Sequence, residues 1–86
     1  MSKTVTVYSQ PGCQPCRAVK HWLDKRGIEY RWVDVTQSPA DADAIRALGY
    51  TGTPVTIVST GDPATDLHWH GFNPDHLARY CTEAAA

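Results

Sequence analysis

Thr4 to Tyr8 alternate threonine with valine, and a few residues later Cys13-Gln14-Pro15-Cys16 opens a stretch with helical spacing. β-branched residues fit a pleated, half-buried backbone, so Thr4–Tyr8 is expected to be a strand, with Ser9–Gly12 a loop. From Cys13 to about Arg26 the apolar positions Val19, Trp22 and Leu23 recur at i, i+3 and i+4, and Gly27 stands where a helix stops. Pro15 fits the first turn, whose N–H groups lack intrahelical partners. Ile28–Val35, with Tyr30, Trp32 and Val33 among charged residues, reads as a second strand. Joined by the helix, the two strands form a right-handed βαβ unit and run parallel.

The same punctuation continues. Ser38-Pro39-Ala40-Asp41 has serine at the cap, proline at the first helical position and an acid at the third; Ala44, Ile45 and Leu48 follow on one face until Gly49. Pro54–Val58 reads as a third strand, Gly61-Asp62-Pro63 as a turn and Asp66–Trp69 as a short fourth strand. Asn73-Pro74-Asp75 repeats the cap pattern and opens a last helix through Leu77 and Cys81, with Ala84-Ala85-Ala86 expected to fray. The order β-α-β-α-β-β-α, with the cysteine pair at the first strand-to-helix junction, matches the thioredoxin superfamily. The expected fold class is α/β, a four-stranded mixed sheet flanked by three helices, over one domain spanning residues 1–86.

The position of Cys13 points to sulfur redox chemistry. Unpaired backbone N–H groups and the positive end of the helix dipole favour an anion at a helix entrance, and the thiolate is the nucleophilic form of cysteine. Each unit by which the thiol pKa falls corresponds to about 1.4 kcal/mol. Two intervening residues bring Cys16 within one turn, where a disulfide is feasible, so Cys16 can resolve a mixed disulfide formed at Cys13. A metal or iron–sulfur carrier is the reading from a different class; it needs ligands beyond this pair, and His68, His70, His76 and Cys81 lack the compact second knuckle of a structural zinc site.

Composition narrows the alternatives. The chain has 86 residues, 42% hydrophobic, enough for one small core. Three cysteines with only one close pair do not resemble a secreted disulfide framework, and Met1-Ser2-Lys3-Thr4 runs into a strand without an apolar leader; a reducing, cytoplasmic setting and a monomer are expected. A formal net charge of −1 with dispersed lysine and arginine leaves no footprint for nucleic acid or anionic membrane, so a protein partner is expected.

Two further sites stand out. Thr53-Pro54 precedes the third strand; with a cis bond it would leave the preceding backbone free to accept an extended partner beside the sulfurs, and with a trans bond it would be an ordinary strand start. In Trp69-His70-Gly71-Phe72-Asn73-Pro74-Asp75 the glycine permits a positive φ, and the aromatics either cover the sulfurs and dock partners or close the core, the latter being the larger share for Phe72. His68 and His70 alternate on a strand and share a face, which suits solvent. Cys81, four residues after Leu77, is expected to pack inward without a catalytic role. Asp24, Lys25 and Arg26 read as a solvated helix end, with Arg17 or Lys20 available to a partner.

Together, Val7-Tyr8-Ser9-Gln10-Pro11-Gly12-Cys13-Gln14-Pro15-Cys16, Leu48-Gly49-Tyr50, Thr53-Pro54-Val55 and Trp69-His70-Gly71-Phe72-Asn73-Pro74-Asp75 resemble the NrdH-redoxins, glutaredoxin-like proteins of the thioredoxin superfamily. The last segment is similar to their Trp-Ser-Gly-Phe-Arg-Pro-Asp signature, with His70 and Asn73 in place of serine and arginine. The resemblance implies a thioredoxin fold, Cys13 as nucleophile, Cys16 as resolving cysteine and a cis Pro54. It also implies no bound cofactor, recycling by thioredoxin reductase with NADPH, and electron delivery to class Ib ribonucleotide reductase. Gln14, Pro15, Thr53, Pro54, Trp69, Gly71 and Phe72 are the expected partner-binding residues. Gln10 stands where a basic residue is common, which leaves thiolate stabilisation to the helix terminus. Pro15 is similar to the proline before the second cysteine of thioredoxin itself. Ordinary glutaredoxins, the alternative with glutathione as co-substrate, carry a tyrosine and a paired glycine where this chain has Pro15 and His70-Gly71.

Overall fold

The computed structural model describes residues 3–61 and 66–81. Strand β1 covers Thr4–Ser9, helix α1 Gln14–Lys25, β2 Arg31–Asp34 and α2 Pro39–Ala47. Strands β3 (Val55–Ser59) and β4 (Leu67–His70) follow, then a short helix α3 (Pro74–His76) that widens into a π-helical turn over Leu77–Cys81. One mixed sheet has the order β2-β1-β3-β4. β1 and β2 run parallel with Val7 beside Trp32, while Val7 faces Thr56 and Thr56 faces Trp69 across antiparallel ladders.

β1 is an interior strand with neighbours on both sides, and because both faces of the sheet are covered there, Val5, Thr6 and Val7 are all buried although they alternate between faces. On one face Val5, Val7 and Val58 meet Val19 and Leu23 of α1 with Trp69, Leu77 and Cys81, forming the main core. Each aliphatic chain so buried contributes roughly 1.5–3 kcal/mol. The opposite face is covered more thinly, since Ile45 is the one fully buried residue of α2.

Several local expectations shift. β2 starts at Arg31; Ile28 and Tyr30 pack against the core outside the ladder. Helix α1 starts at Gln14, so Cys13 is its cap, and β3 starts at Val55, leaving Pro54 buried just ahead of the ladder. The apolar face predicted for α2 is corrected: Ala44 is exposed and Leu48, already past the last turn, is 42% exposed. Ser38 sits at the cap, yet its hydroxyl makes no capping bond and donates instead to Asp41 Oδ2 at 2.7 Å. The predicted fourth strand is Leu67–His70, one residue later than expected. Asp62 and Pro63 of the predicted turn and Ala84–Ala86 lie outside the described residues.

Candidate active site

The chain leaves β1, turns at Gly12 with φ +75°, a left-handed conformation open to glycine, and delivers Cys13 to the N-cap of α1. There the Cys16 backbone N–H donates to Cys13 Sγ at 3.2 Å, a helix-entrance donor satisfied by sulfur. The two cysteines form a disulfide with Cα atoms 5.2 Å apart. They are not equivalent: Cys13 is 9% exposed and Cys16 1%. Pro11, Gly12, Gln14 and Pro15 around Cys13 are all exposed, so that sulfur lies beneath an open rim and outside the apolar core.

A second wall comes from the loop before β3. The Thr53 hydroxyl donates to Cys13 Sγ at 3.6 Å, and the Thr53–Pro54 peptide is cis. Pro54 C=O accepts from Gly71 N–H at 2.8 Å, and Gly71, at φ +87°, turns the chain out of β4 toward α3. Two segments far apart in sequence therefore meet at the sulfurs, Gly12–Cys16 and Thr53–Pro54, and a third, at Gly71, is bonded to Pro54.

Two aromatic expectations are corrected. Phe72, assigned mainly to core closure, is 41% exposed, because the turn at Gly71 carries it outward. Trp69, a candidate docking residue, is 7% exposed and packs in the core against the rings of His76 and Tyr80, so it offers little to a partner. Asn73 supplies a cap where the signature it resembles has arginine: its Oδ1 accepts from His76 N–H at 3.1 Å. Lys20, considered for a partner contact, donates to Tyr30 Oη at 2.8 Å, and Tyr30 donates to Asp24 at 2.6 Å. These bonds raise the Lys20 pKa and lower that of Asp24, and they tie α1 to the segment entering β2.

Sequence reasoning missed Tyr50. Its Oη lies 2.7 Å from His68 Nδ1, its ring meets the His68 ring edge-on at 5.6 Å, and His70 lies parallel to it at 6.1 Å. His68 and His70 do share a face, but that face carries Tyr50 as well as solvent. Only the period-two spacing of the histidines was legible; a tyrosine eighteen residues upstream gives no local signal. Tyr50 and Gln10 also border an open groove of about 140 Å³ that ends at Thr53. Cys81 is buried as expected, and desolvation pushes its thiol up to about 11, so it stays protonated at neutral pH. Among the described residues no three His, Cys, Asp or Glu side chains converge to hold a metal ion, and no helix is long and apolar enough to cross a membrane.

A four-stranded mixed sheet of this order with a vicinal-turn disulfide at the first helix entrance defines a thiol–disulfide oxidoreductase of the thioredoxin fold. The glutaredoxin family model matches residues 5–61, and the chain belongs to that family, in its NrdH-redoxin branch. It is 36% identical over 75 residues to the glutaredoxin-like protein NrdH of Escherichia coli K12, covering 87% of this chain and 85% of that one. The gene 56 protein of Mycobacterium phage L5 is 38% identical over 74 residues, covering 85% and 67%. The solved NrdH-redoxin of Escherichia coli, described as having a thioredoxin-like activity profile, superposes with a TM-score of 0.74 at 34% identity, covering 88% of this chain and 92% of that one.

Proposed function

We propose that this protein is a cytoplasmic, monomeric electron carrier that reduces protein disulfides, class Ib ribonucleotide reductase foremost, and is itself recycled by thioredoxin reductase at the expense of NADPH. The observation that carries the reading is the asymmetry of the two cysteines: Cys13, 9% exposed, lies just beneath a rim of exposed residues, while Cys16, 1% exposed, lies deeper and meets no partner directly. In the reduced protein, Cys13 thiolate attacks one sulfur of the target disulfide; a mixed disulfide forms and the other target sulfur leaves as thiolate. Cys16 then gives up its proton and attacks Cys13 Sγ, the target's second sulfur departs, and two electrons have passed to the target as the Cys13–Cys16 bond closes. The Cys16 N–H and the Thr53 hydroxyl face Cys13 Sγ and favour its anion, both as attacking and as departing group.

Gly12, Gln14, Pro15, Thr53, Gly71 and Phe72 form the rim a partner meets. Thr53 precedes the β3 ladder and its backbone has no hydrogen-bond partner among the described residues, which leaves it open to an extended target segment. The choice of reductase and target is what the resemblance to the NrdH-redoxins implies, and the thioredoxin-like activity profile described for the Escherichia coli NrdH-redoxin agrees with a thioredoxin-type dithiol. Parallel assays test it. Insulin disulfide reduction should proceed with NADPH and thioredoxin reductase and stay near background with glutathione and glutathione reductase; the reverse result overturns the assignment.

A further inference from the structure

Thr53 can act on Cys13 only if the loop between α2 and β3 holds its hydroxyl over the sulfur. That loop, residues 48–54, is bonded at its start to α2, where Gly49 N–H donates to Arg46 C=O at 2.9 Å and Tyr50 N–H to Ile45 C=O at 3.2 Å, and at its end through Pro54 C=O, which accepts from Gly71 N–H at 2.8 Å; among the described residues no backbone bond holds residues 51–53 between them. Helix α2 is itself thinly anchored, through Ile45. Toward the sheet, the Tyr50 side chain makes the crossing. Its Oη reaches His68 Nδ1 at 2.7 Å on β4, an edge strand, and its ring lies between His68 and His70. Two residues later, the position a Cβ would take on Gly52 is 3.7 Å from His70 Nε2, so the histidine lies against the loop immediately before Thr53. β4 is held in register, with Val55 beside His70 and Ile57 beside His68, and is the firm side of this contact.

We propose that Tyr50 is a positioning residue for the redox site: by bonding His68 and packing on His70 it fastens the α2–β3 loop to β4 and so keeps the Thr53 hydroxyl on Cys13 Sγ. The proposal rests on the reading of Cys13 as nucleophile. The chain of contact runs from His68 to Tyr50, along Gly52 to Thr53 and from there to sulfur, with no contact of Tyr50 on the reacting atoms themselves. With the imidazole proton on Nε2, His68 Nδ1 accepts from the Tyr50 hydroxyl; with the proton on Nδ1 the bond runs the other way, and either tautomer fastens the loop. Losing the phenol hydroxyl leaves the ring in place and removes only the fastening.

The Cys13 pKa in the reduced protein, followed by thiolate absorbance and by the pH profile of iodoacetamide alkylation, tests this. Thr53→Val should raise it by about 0.5 unit, less than a full hydrogen bond to an anion supplies because the hydroxyl stands 3.6 Å from the sulfur. Tyr50→Phe and His68→Ala should each raise it in the same direction by about 0.3 unit, a roughly twofold fall in alkylation rate below the pKa. The decisive arm is the Tyr50→Phe/Thr53→Val double variant, which should match Thr53→Val alone, because a residue acting through Thr53 has nothing left to act on. Additive shifts, or a shift from Tyr50→Phe with none from His68→Ala, overturn the proposal. A Cys13 that fails to alkylate at neutral pH in the unsubstituted protein would instead sink the functional reading on which it stands.

Discussion

The chain builds two environments for sulfur within one small fold, and they are opposites. Cys13 sits at a helix entrance with a backbone N–H and a hydroxyl directed at it and the exposed Pro11, Gly12, Gln14 and Pro15 around it. Cys81 sits at the end of the last described turn, in the core cluster with Val5, Val58 and Trp69, with a thiol pKa raised to about 11 by burial. On the proposed reading the same element is reactive in one place and inert in the other because of what surrounds it: donors stabilise the anion, apolar packing withholds the solvation it needs. Reactivity here is a property of position in the fold.

The largest effect comes from removing the reactive sulfur. Cys13→Ser should abolish disulfide reduction, while Cys16→Ser should still attack once and then stall, accumulating a mixed disulfide visible by mass under non-reducing conditions. Turnover of Cys16→Ser at the unsubstituted rate would contradict the two-cysteine scheme. Next is the contrast itself: iodoacetamide at neutral pH should label Cys13 of the reduced protein and leave Cys81 untouched until denaturant is added. Because the folded pKa of Cys81 is raised from 9.0 to about 11, its contribution to stability is present below pH 9 and lost as pH rises toward 11. Chemical denaturation across that range should show a decline that is smaller in Cys81→Ala, the remainder coming from Tyr8, Tyr30 and Lys20, whose pKa values are also raised. Smallest is a structural control between the two environments: Asn73→Ala removes the cap of α3 and should cost about 1 kcal/mol in denaturation midpoint analysis while leaving insulin reduction unchanged.

What was legible in the sequence follows from range. The helix entrance at Cys13, the caps at Ser38 and Asn73, and the β-branched run of β1 are set by residues a few positions apart, and the strand and helix order came out as expected. The face of α2 did not. Leu48 looked like a core position by spacing, but the helix ends at Ala47 and the leucine is left exposed. Phe72 failed for a related reason: its hydrophobicity argued for the core, whereas the left-handed turn at Gly71 decides where it points. The Thr53–Cys13 contact spans forty residues and the Tyr50–His68 contact eighteen, and only the packed sheet brings these pairs together.

The reactive cysteine is strung directly from an interior strand, paired on both sides and buried on both faces, while the thinly held α2 lies elsewhere. Amide exchange should therefore be slowest at Val5 and Val7 and much faster along α2, and partial opening of that helix should leave the sulfur pair on an intact platform. A fold arranged this way can breathe at its periphery while the sulfur pair at its centre keeps its footing.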